Sequence, residues 1–497
     1  MISKPKIIKF PNGATLIYQK QPSSTMSSIS MGFVCGAKCD GEHKGISHLI
    51  EHLLYRGYSE SKTIKLLDKL SDNIFSQNAF TSANAICMKF STTNNNLEKA
   101  LKERVETFKE KRFTKEQINK EIEVVKQEIK INQDYEEDIP ETALDKLFDA
   151  IKESKIKPLT GLDILGNSKT LNSILPEHIV DYKSKYFNSK NLVISIATSL
   201  PLDVVTDMIE KEVISKFDYS SKKSVINSIP KNNGFKTNNF NMMILEPNTP
   251  SHNVQIDFLI KTDGYGDNYE KQLAYNMIEE FYLNSMNGEQ FLNLRVKTPL
   301  VYYFDLKNHP SKSSTLKHYS ITTSPVKTRK VMSVMCEMFS SLAQNGLEEK
   351  YFENYKQQII EQIKHLNGSN SRLCESNFYK YVTNQTFTDY NKLISYVNKM
   401  TFEDFNNYIK STYTNPKLSV SAEGLFDTRK MYRLVELEIM AGNTEHIENL
   451  WDYNNPVYEA TESMDPDLEK IKDKFTKEIE NYTRKKLGAH DTKEPTK

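Results

Sequence analysis

The sequence predicts an α+β protein of two homologous halves, each a mainly antiparallel sheet packed with helices, plus a C-terminal helical extension. Two observations carry this. Strand-type runs give way to helix pairs twice over, and two segments recur in the same order at nearly the same shift. KFSTTNNNLEKAL (89–101) precedes a helix ending KQEI (126–129), and SITTSPVKTRKV (320–331) precedes one ending KQQI (356–359), so Glu128 falls on Gln358. LPEHIVDYKSKYFNSKNLVIS (175–195) parallels TFEDFNNYIKSTYTNPKLSVS (401–421).

Each element has a local reason. Ala14–Gln19 and Ser27–Val34 are short β-type runs separated by a polar turn. Gly45 to about Ser71 reads as helix, with apolar residues at Ile46, Leu49, Leu53 and Leu54. Asn78–Ser91 is rich in alternating, β-branched and aromatic positions and reads as strand. Leu97–Lys109 and Lys115–Gln133 are helical, and Asn191–Ala197 is a buried strand. Ser220–Asn239 has the Lys/Ser/Asn composition of a linker. The expected division is therefore 1–219, a linker at 220–239, a second half at 240–426, and an extension at 427–497. In the extension, Leu468, Ile471, Phe475, Ile479 and Tyr482 form one narrow helical stripe.

Composition narrows the function. A hydrophobic fraction of 38% over 497 residues suffices for sizeable cores. With 66 Lys+Arg against 65 Asp+Glu there is no basic field to hold a nucleic acid. No apolar run is long enough for a membrane span, and the N-terminus lacks a secretory pattern. Five cysteines, few and odd in number, argue for free thiols in a reducing compartment. The expected location is a bacterial cytoplasm.

The chemistry concentrates at His48-Leu49-Ile50-Glu51-His52, an H-x-x-E-H inside the predicted helix. Residues four apart project from one face about a turn apart, the spacing two ligands on one tetrahedral Zn²⁺ require. Glu51 lies on the same side and can reach a metal-bound water without being a ligand; a carboxylate there takes the water proton and delivers it to a leaving amine. Either histidine alone would be an ordinary polar helix residue; the triplet on one apolar helix is not. A third ligand must come from elsewhere. Glu121 and Glu128 share a face two turns apart, beside Val124 and Val125. An inward carboxylate there needs a partner, yet Glu123, Lys126 and Lys130 equally suit a solvated face. A rival Cys35/Cys39/His43 metal site has regular spacing, but a cysteine is more often a small buried hydrophobe.

These residues resemble the pitrilysin/insulinase-type inverted-zincin peptidases, the M16 family that includes the mitochondrial processing peptidase and bacterial relatives. The resemblance covers roughly residues 8–425. GISHLIEHLLYRG (45–57) looks like the family's G-x-x-H-x-x-E-H-x-x-x-x-G. The family's downstream glutamate ligand, and the glutamate seven residues before it, fall on Glu128 and Glu121. The resemblance therefore implies one Zn²⁺ per chain on His48, His52 and Glu128. It also implies Glu51 as general base and Glu121 as support for a ligand.

Asn78-Ala79-Phe80-Thr81 resembles the family's edge strand, which pairs with an extended substrate, with Asn78, Ala79 and Phe80 as the expected substrate-binding residues. Leu294-Arg295-Val296-Lys297-Thr298-Pro299-Leu300-Val301-Tyr302 resembles L-R-x-x-x-G-L-x-Y, with Pro299 in place of glycine. Arg295 and Tyr302 then correspond to the pair that donates to substrate carbonyls and to the oxyanion. On the duplication, the H-x-x-E-H positions fall on Ile278, Phe281 and Tyr282, which cannot bind metal. In relatives of this length two chains close around the substrate. Carrying both residue sets, this chain is expected to cleave peptides or presequences as a homodimer. A subunit of a heterodimeric processing peptidase, catalytic or not, and a leader peptidase for a ribosomal peptide are the alternatives.

Overall fold

The computed structural model describes residues 4–56, 73–136, 142–151, 164–217, 243–246, 253–284, 292–297 and 299–424, with a few isolated positions between them. The principal helices are α1 (Ile46–Leu53), α2 (Leu97–Lys109), α3 (Lys115–Glu136), α4 (Ala143–Ile151), α5 (Pro176–Tyr186), α6 (Leu202–Glu212), α7 (Tyr269–Asn284), α8 (Thr328–Gln344), α9 (Phe352–Asn367), α10 (Asn370–Val382), α11 (Tyr390–Lys399) and α12 (Phe402–Tyr413). The chain forms two units. One comprises residues 1–139, 156–232 and 360–395; the other comprises 140–155, 233–359 and 396–497.

The first unit holds a six-stranded sheet of β1 (Lys6–Lys9), β2 (Thr15–Lys20), β3 (Met26–Phe33), β4 (Ser76–Thr81), β5 (Ile86–Thr93) and β6 (Leu192–Thr198), in the order β1-β2-β6-β3-β5-β4. Only β2 and β6 pair in parallel. Alternation along β3 decides its faces. Ile29, Met31 and Phe33 enter a large apolar core with residues of α1, α2, α3, α5 and α6. The opposite face is covered by α10. Its Cys374 Sγ donates to the carbonyl oxygens of Ser28 and Ser195, and its Phe378 and Val382 pack on Ile17, Cys87 and Val193.

The run 78–91, expected to be one strand, is a hairpin. The Ser82 hydroxyl accepts from the Asn84 and Ala85 amides, closing a turn that separates β4 from β5. This makes β4 the edge of the sheet.

The second unit repeats the plan with five strands: β7 (Met243–Glu246), β8 (Val254–Asp263), β9 (Val301–Pro310), β10 (Ser314–Thr323) and β11 (Lys417–Glu423), in the order β7-β11-β8-β10-β9. β5 passes through a 3₁₀ turn into α2, and β10 does the same into α8; α5 followed by β6 is answered by α12 followed by β11. One face of this sheet is packed with aromatic side chains: Phe339 lies between Phe258, Tyr319 and Tyr413. The other face is covered by α4, whose Leu147 and Ile151 pack on Leu259 and Leu316. Each unit thus carries one helix from the other half of the sequence, a departure from a simple split near 220–239. Apart from Val225 that stretch, like all of 427–497 with its apolar stripe, lies outside the described residues.

Candidate metal centre

Helix α1 begins where Gly45 adopts φ +87°, a left-handed conformation glycine takes without strain. A Cβ there would lie 2.4 Å from the Leu165 carbonyl oxygen. The buried Asp40 carboxylate accepts from the amides of Gly45 (2.9 Å) and Ser47 (3.3 Å), so it caps the helix. Burial pushes the Asp40 carboxyl up to about 6, against the pull of those amides. Ile46, Leu49, Ile50 and Leu53 are sunk in the core. The helical period then turns His48, Glu51 and His52 to the other side.

Helix α3 is fixed the same way, with Ile118, Ile122, Val125 and Ile129 buried. Glu121 is buried beside them, Glu128 stands at the margin, and Val124 is exposed, contrary to the expectation that both valines flank the carboxylates.

The two helices bring three donor atoms together. His48 Nε2 and Glu128 Oε2 are 3.1 Å apart, the two Nε2 atoms 3.2 Å, and His52 Nε2 and Glu128 Oε2 3.5 Å. Ligands about 2.0–2.2 Å from a tetrahedral zinc ion stand roughly 3.3–3.5 Å from one another. The triangle therefore fits one face of such a site, and the donor set, two imidazoles and a carboxylate, is one zinc accepts. Among the described residues this is the one group of three or more His, Cys, Asp or Glu side chains close enough to share a metal ion.

Electrostatics agree. Burial disfavours a charged His48, but the carboxylates of Glu128 and Glu51 outweigh it and raise its pKa. The same competition, with Glu121 and Glu128 as partners, lifts His52 to about 9. Contacts from His48 and His52 hold the Glu128 carboxyl far below the usual range. A cation entering here displaces protons from the imidazoles.

Around the donors, Glu51 Oε2 accepts from the Thr81 hydroxyl at 2.9 Å and lies 3.3 Å from His48 Nδ1. That second contact is in ion-pair range but lacks hydrogen-bond alignment, and the buried Nδ1 has no hydrogen-bond partner. Glu121 Oε2 lies 3.4 Å from His52 Nδ1, while its Oε1 accepts from Arg56. Arg56 and Asp40 were not singled out as functional from sequence, and Thr81 was expected only as part of the edge strand, not as a partner of Glu51. Strand alternation could have found that contact, since Thr81 shares a face with Ala79, which packs against α1 in the core.

On β4, the Ala79 amide is taken by the Asn78 side chain at 2.8 Å. Phe80 points to the opposite face, edge-on to Phe378.

Arg295 and Tyr302 belong to the second unit. Arg295 is exposed on a π-helical turn, Leu292–Lys297. The Leu300 amide donates to the Leu294 carbonyl at 2.9 Å, and Lys327 donates to the Pro299 carbonyl, so a proline is accommodated at the glycine position. Tyr302 is 77% exposed on the edge strand β9. Its neighbour Tyr303 donates instead to Asp305 at 3.0 Å. Ile278 and Tyr282 are buried, and Tyr282 packs on Phe405 and Tyr355. Aromatic packing thus occupies the positions that answer the H-x-x-E-H.

The rival cysteine site does not form. The His43 ring stacks on His178 with centroids 3.9 Å apart. Burial pushes the Cys35 and Cys39 thiols up. All five cysteines are free, and no described helix is long and apolar enough to cross a membrane.

Comparison with known proteins matches residues 15–157 to the family described as insulinase, peptidase family M16. Residues 173–359 match the peptidase M16 inactive domain. An uncharacterized zinc protease of Rickettsia felis is 30% identical over 207 residues, 41% of this chain and 48% of that protein. The chain thus spans about half the length of that relative. The uncharacterized zinc protease YmxG of Bacillus subtilis is 24% identical over 73% of this chain and 85% of its own length. The crystal structure of a protease from Helicobacter pylori superposes with a TM-score of 0.62 at 14% identity, covering 85% of this chain and 100% of that one.

Proposed function

The chain belongs to the M16 peptidase family, and from that premise we propose that it is a zinc-dependent endopeptidase acting on peptides or presequences in an enclosed chamber. The observation that carries the reading is the His48–His52–Glu128 triangle with Glu51 beside it. These three side chains would hold one zinc ion per chain and leave a position open for water or substrate. When bound, zinc supplies a Lewis acid and an acidified water.

The chain's own residues do the rest. Glu51, held by Thr81, accepts a proton and returns it to the leaving amine. Glu121 orients His52. The free edge of β4 offers backbone groups at Asn78, Ala79 and Phe80 to an extended peptide. A substrate carbonyl would take over the Ala79 amide from the Asn78 side chain.

Arg295 and Tyr302 would donate to substrate carbonyls and to the developing oxyanion. We place them across from the zinc of a second copy, giving a homodimer with two composite sites. The five free thiols suit a reducing cytoplasm.

The test is metal analysis and cleavage of a peptide library, with and without chelator, on wild type and Glu51→Gln. The amide keeps the shape of the carboxylate but cannot accept a proton. Zinc content should stay, and turnover should fall on the order of 10²–10⁴-fold. Full activity of Glu51→Gln, or activity indifferent to chelation, would refute the reading.

A further inference from the structure

We infer that Arg56 is a positioning residue for the metal centre, acting through Glu121 on His52. It stands one turn after His52, at the end of the H-x-x-E-H segment. Its Nε and Nη2 each lie 2.7 Å from the same carboxylate oxygen, Glu121 Oε1. The other oxygen, Oε2, is the one that faces His52 Nδ1 at 3.4 Å. Nε2 of the same ring faces His48 and Glu128. The order of contacts is therefore guanidinium, carboxylate, imidazole, metal position.

Three features separate this from an ordinary surface ion pair. Glu121 is only 5% exposed, so its charge is taken out of water and needs compensation. Arg56 supplies that compensation while its own side chain stays about half exposed. Both nitrogens of the rigid fork engage one oxygen, so Oε1 is held by two donors while Oε2 is left to the ring. A lysine ammonium is a point charge and would neutralise Glu121 without that paired grip. Finally, the contacted ring is a ligand of the proposed metal, where partners behind a ligand typically govern affinity 10- to 100-fold.

This inference rests on the zinc reading above, and the experiment keeps the two apart. Zinc affinity is measured on metal-stripped protein by competition with a chromophoric chelator. Co²⁺ absorption serves as a second readout of ligand geometry. Circular dichroism and thermal unfolding of the metal-free proteins check that each variant folds.

Wild type should bind one zinc and His48→Ala should lose it. Absence of that difference refutes the metal centre itself. Arg56→Met, which keeps the aliphatic stem, should bind zinc about 10-fold more weakly and shift the Co²⁺ spectrum. Arg56→Lys should recover part of the affinity. Glu121→Gln should weaken binding at least as much as Arg56→Met. Adding Arg56→Met to Glu121→Gln should then cost nothing further, because the contact Arg56 acts through is already gone. An unchanged affinity in Arg56→Met, with the His48→Ala control intact, overturns the role of Arg56. So do losses that multiply in the double variant.

Discussion

Replacing Asp40 by asparagine should make this protein more stable at neutral pH, although Asp40 caps the helix that bears the histidines. Two effects compete. A capping carboxylate at a helix N-terminus is normally worth about 0.5–2 kcal/mol relative to no cap. Burial, however, lifts the Asp40 carboxyl from its ordinary 3.8 to about 6. Between those values the folded chain keeps a proton that the unfolded chain has released. Folding stability therefore falls as pH rises through that window and stays low above it.

At 1.36 kcal/mol per pH unit, the loss from pH 4 to pH 7 comes to about 2–3 kcal/mol. Asparagine is the neutral isostere of the protonated acid and does not titrate. The two proteins should be about equally stable at pH 4. By pH 7 Asp40→Asn should lead by about 2–3 kcal/mol. The assay is urea unfolding of both proteins at several pH values in the presence of chelator, so that metal contributes to neither. A gap that stays flat with pH, or that turns against the variant as pH rises, would show that the amide contacts outweigh desolvation.

Other perturbations have sharp outcomes. Gly45→Ala forces a side chain into a left-handed residue facing the Leu165 carbonyl. It should lower stability by about 2 kcal/mol or more, seen as a depressed midpoint in thermal unfolding. Glu128→Gln should reduce zinc occupancy after dialysis, measured beside wild type; undiminished zinc would remove Glu128 from the proposed ligand set. Glu51→Gln and Arg295→Ala/Tyr302→Phe should each be inactive or crippled as homodimers. Mixed with subunit exchange, they should regain about a quarter of wild-type activity, since half the dimers are mixed and each has one intact site. No recovery, with exchange verified, would rule out the homodimeric composite site.

The start of the helix that carries the histidines was legible from the apolar period of Ile46, Leu49 and Leu53, but its end was not: the helix expected to run to about Ser71 stops at Leu53. The carboxylates of α3 were half legible. Their seven-residue spacing put Glu121 and Glu128 on one face. Which of them meets the imidazoles and which stands behind depends on how α3 packs on α1, a tertiary fact with no local signature. The turn at Ser82–Ala85 was hidden inside a run with strand-type residues on both sides. Arg56 was invisible as anything but a polar residue at the end of a helix, because its meaning lies in a partner 65 positions away. The stripes of α4 and α10 announce amphipathic helices, but a stripe does not say which sheet it will cover.

The exchange of α4 and α10 also sets the order of events during synthesis. All three donor residues have been synthesised once Glu128 is made. The sheet on which their helices pack still lacks the cover for its other face until residues 370–382 appear, more than two hundred positions later. Contacts such as Thr15 with Tyr381 close loops of 366 residues, the kind of long-range pairing that slows folding. A nascent chain thus contains His48, His52 and Glu128 long before the unit around them can be completed. A fragment ending at the apparent boundary near residue 220 would expose Ile17, Cys87 and Val193 and should aggregate or recruit a chaperone. For the same reason, a half-length ancestor of this duplicated chain would have had to fold in pairs, each copy lending its helix to the other.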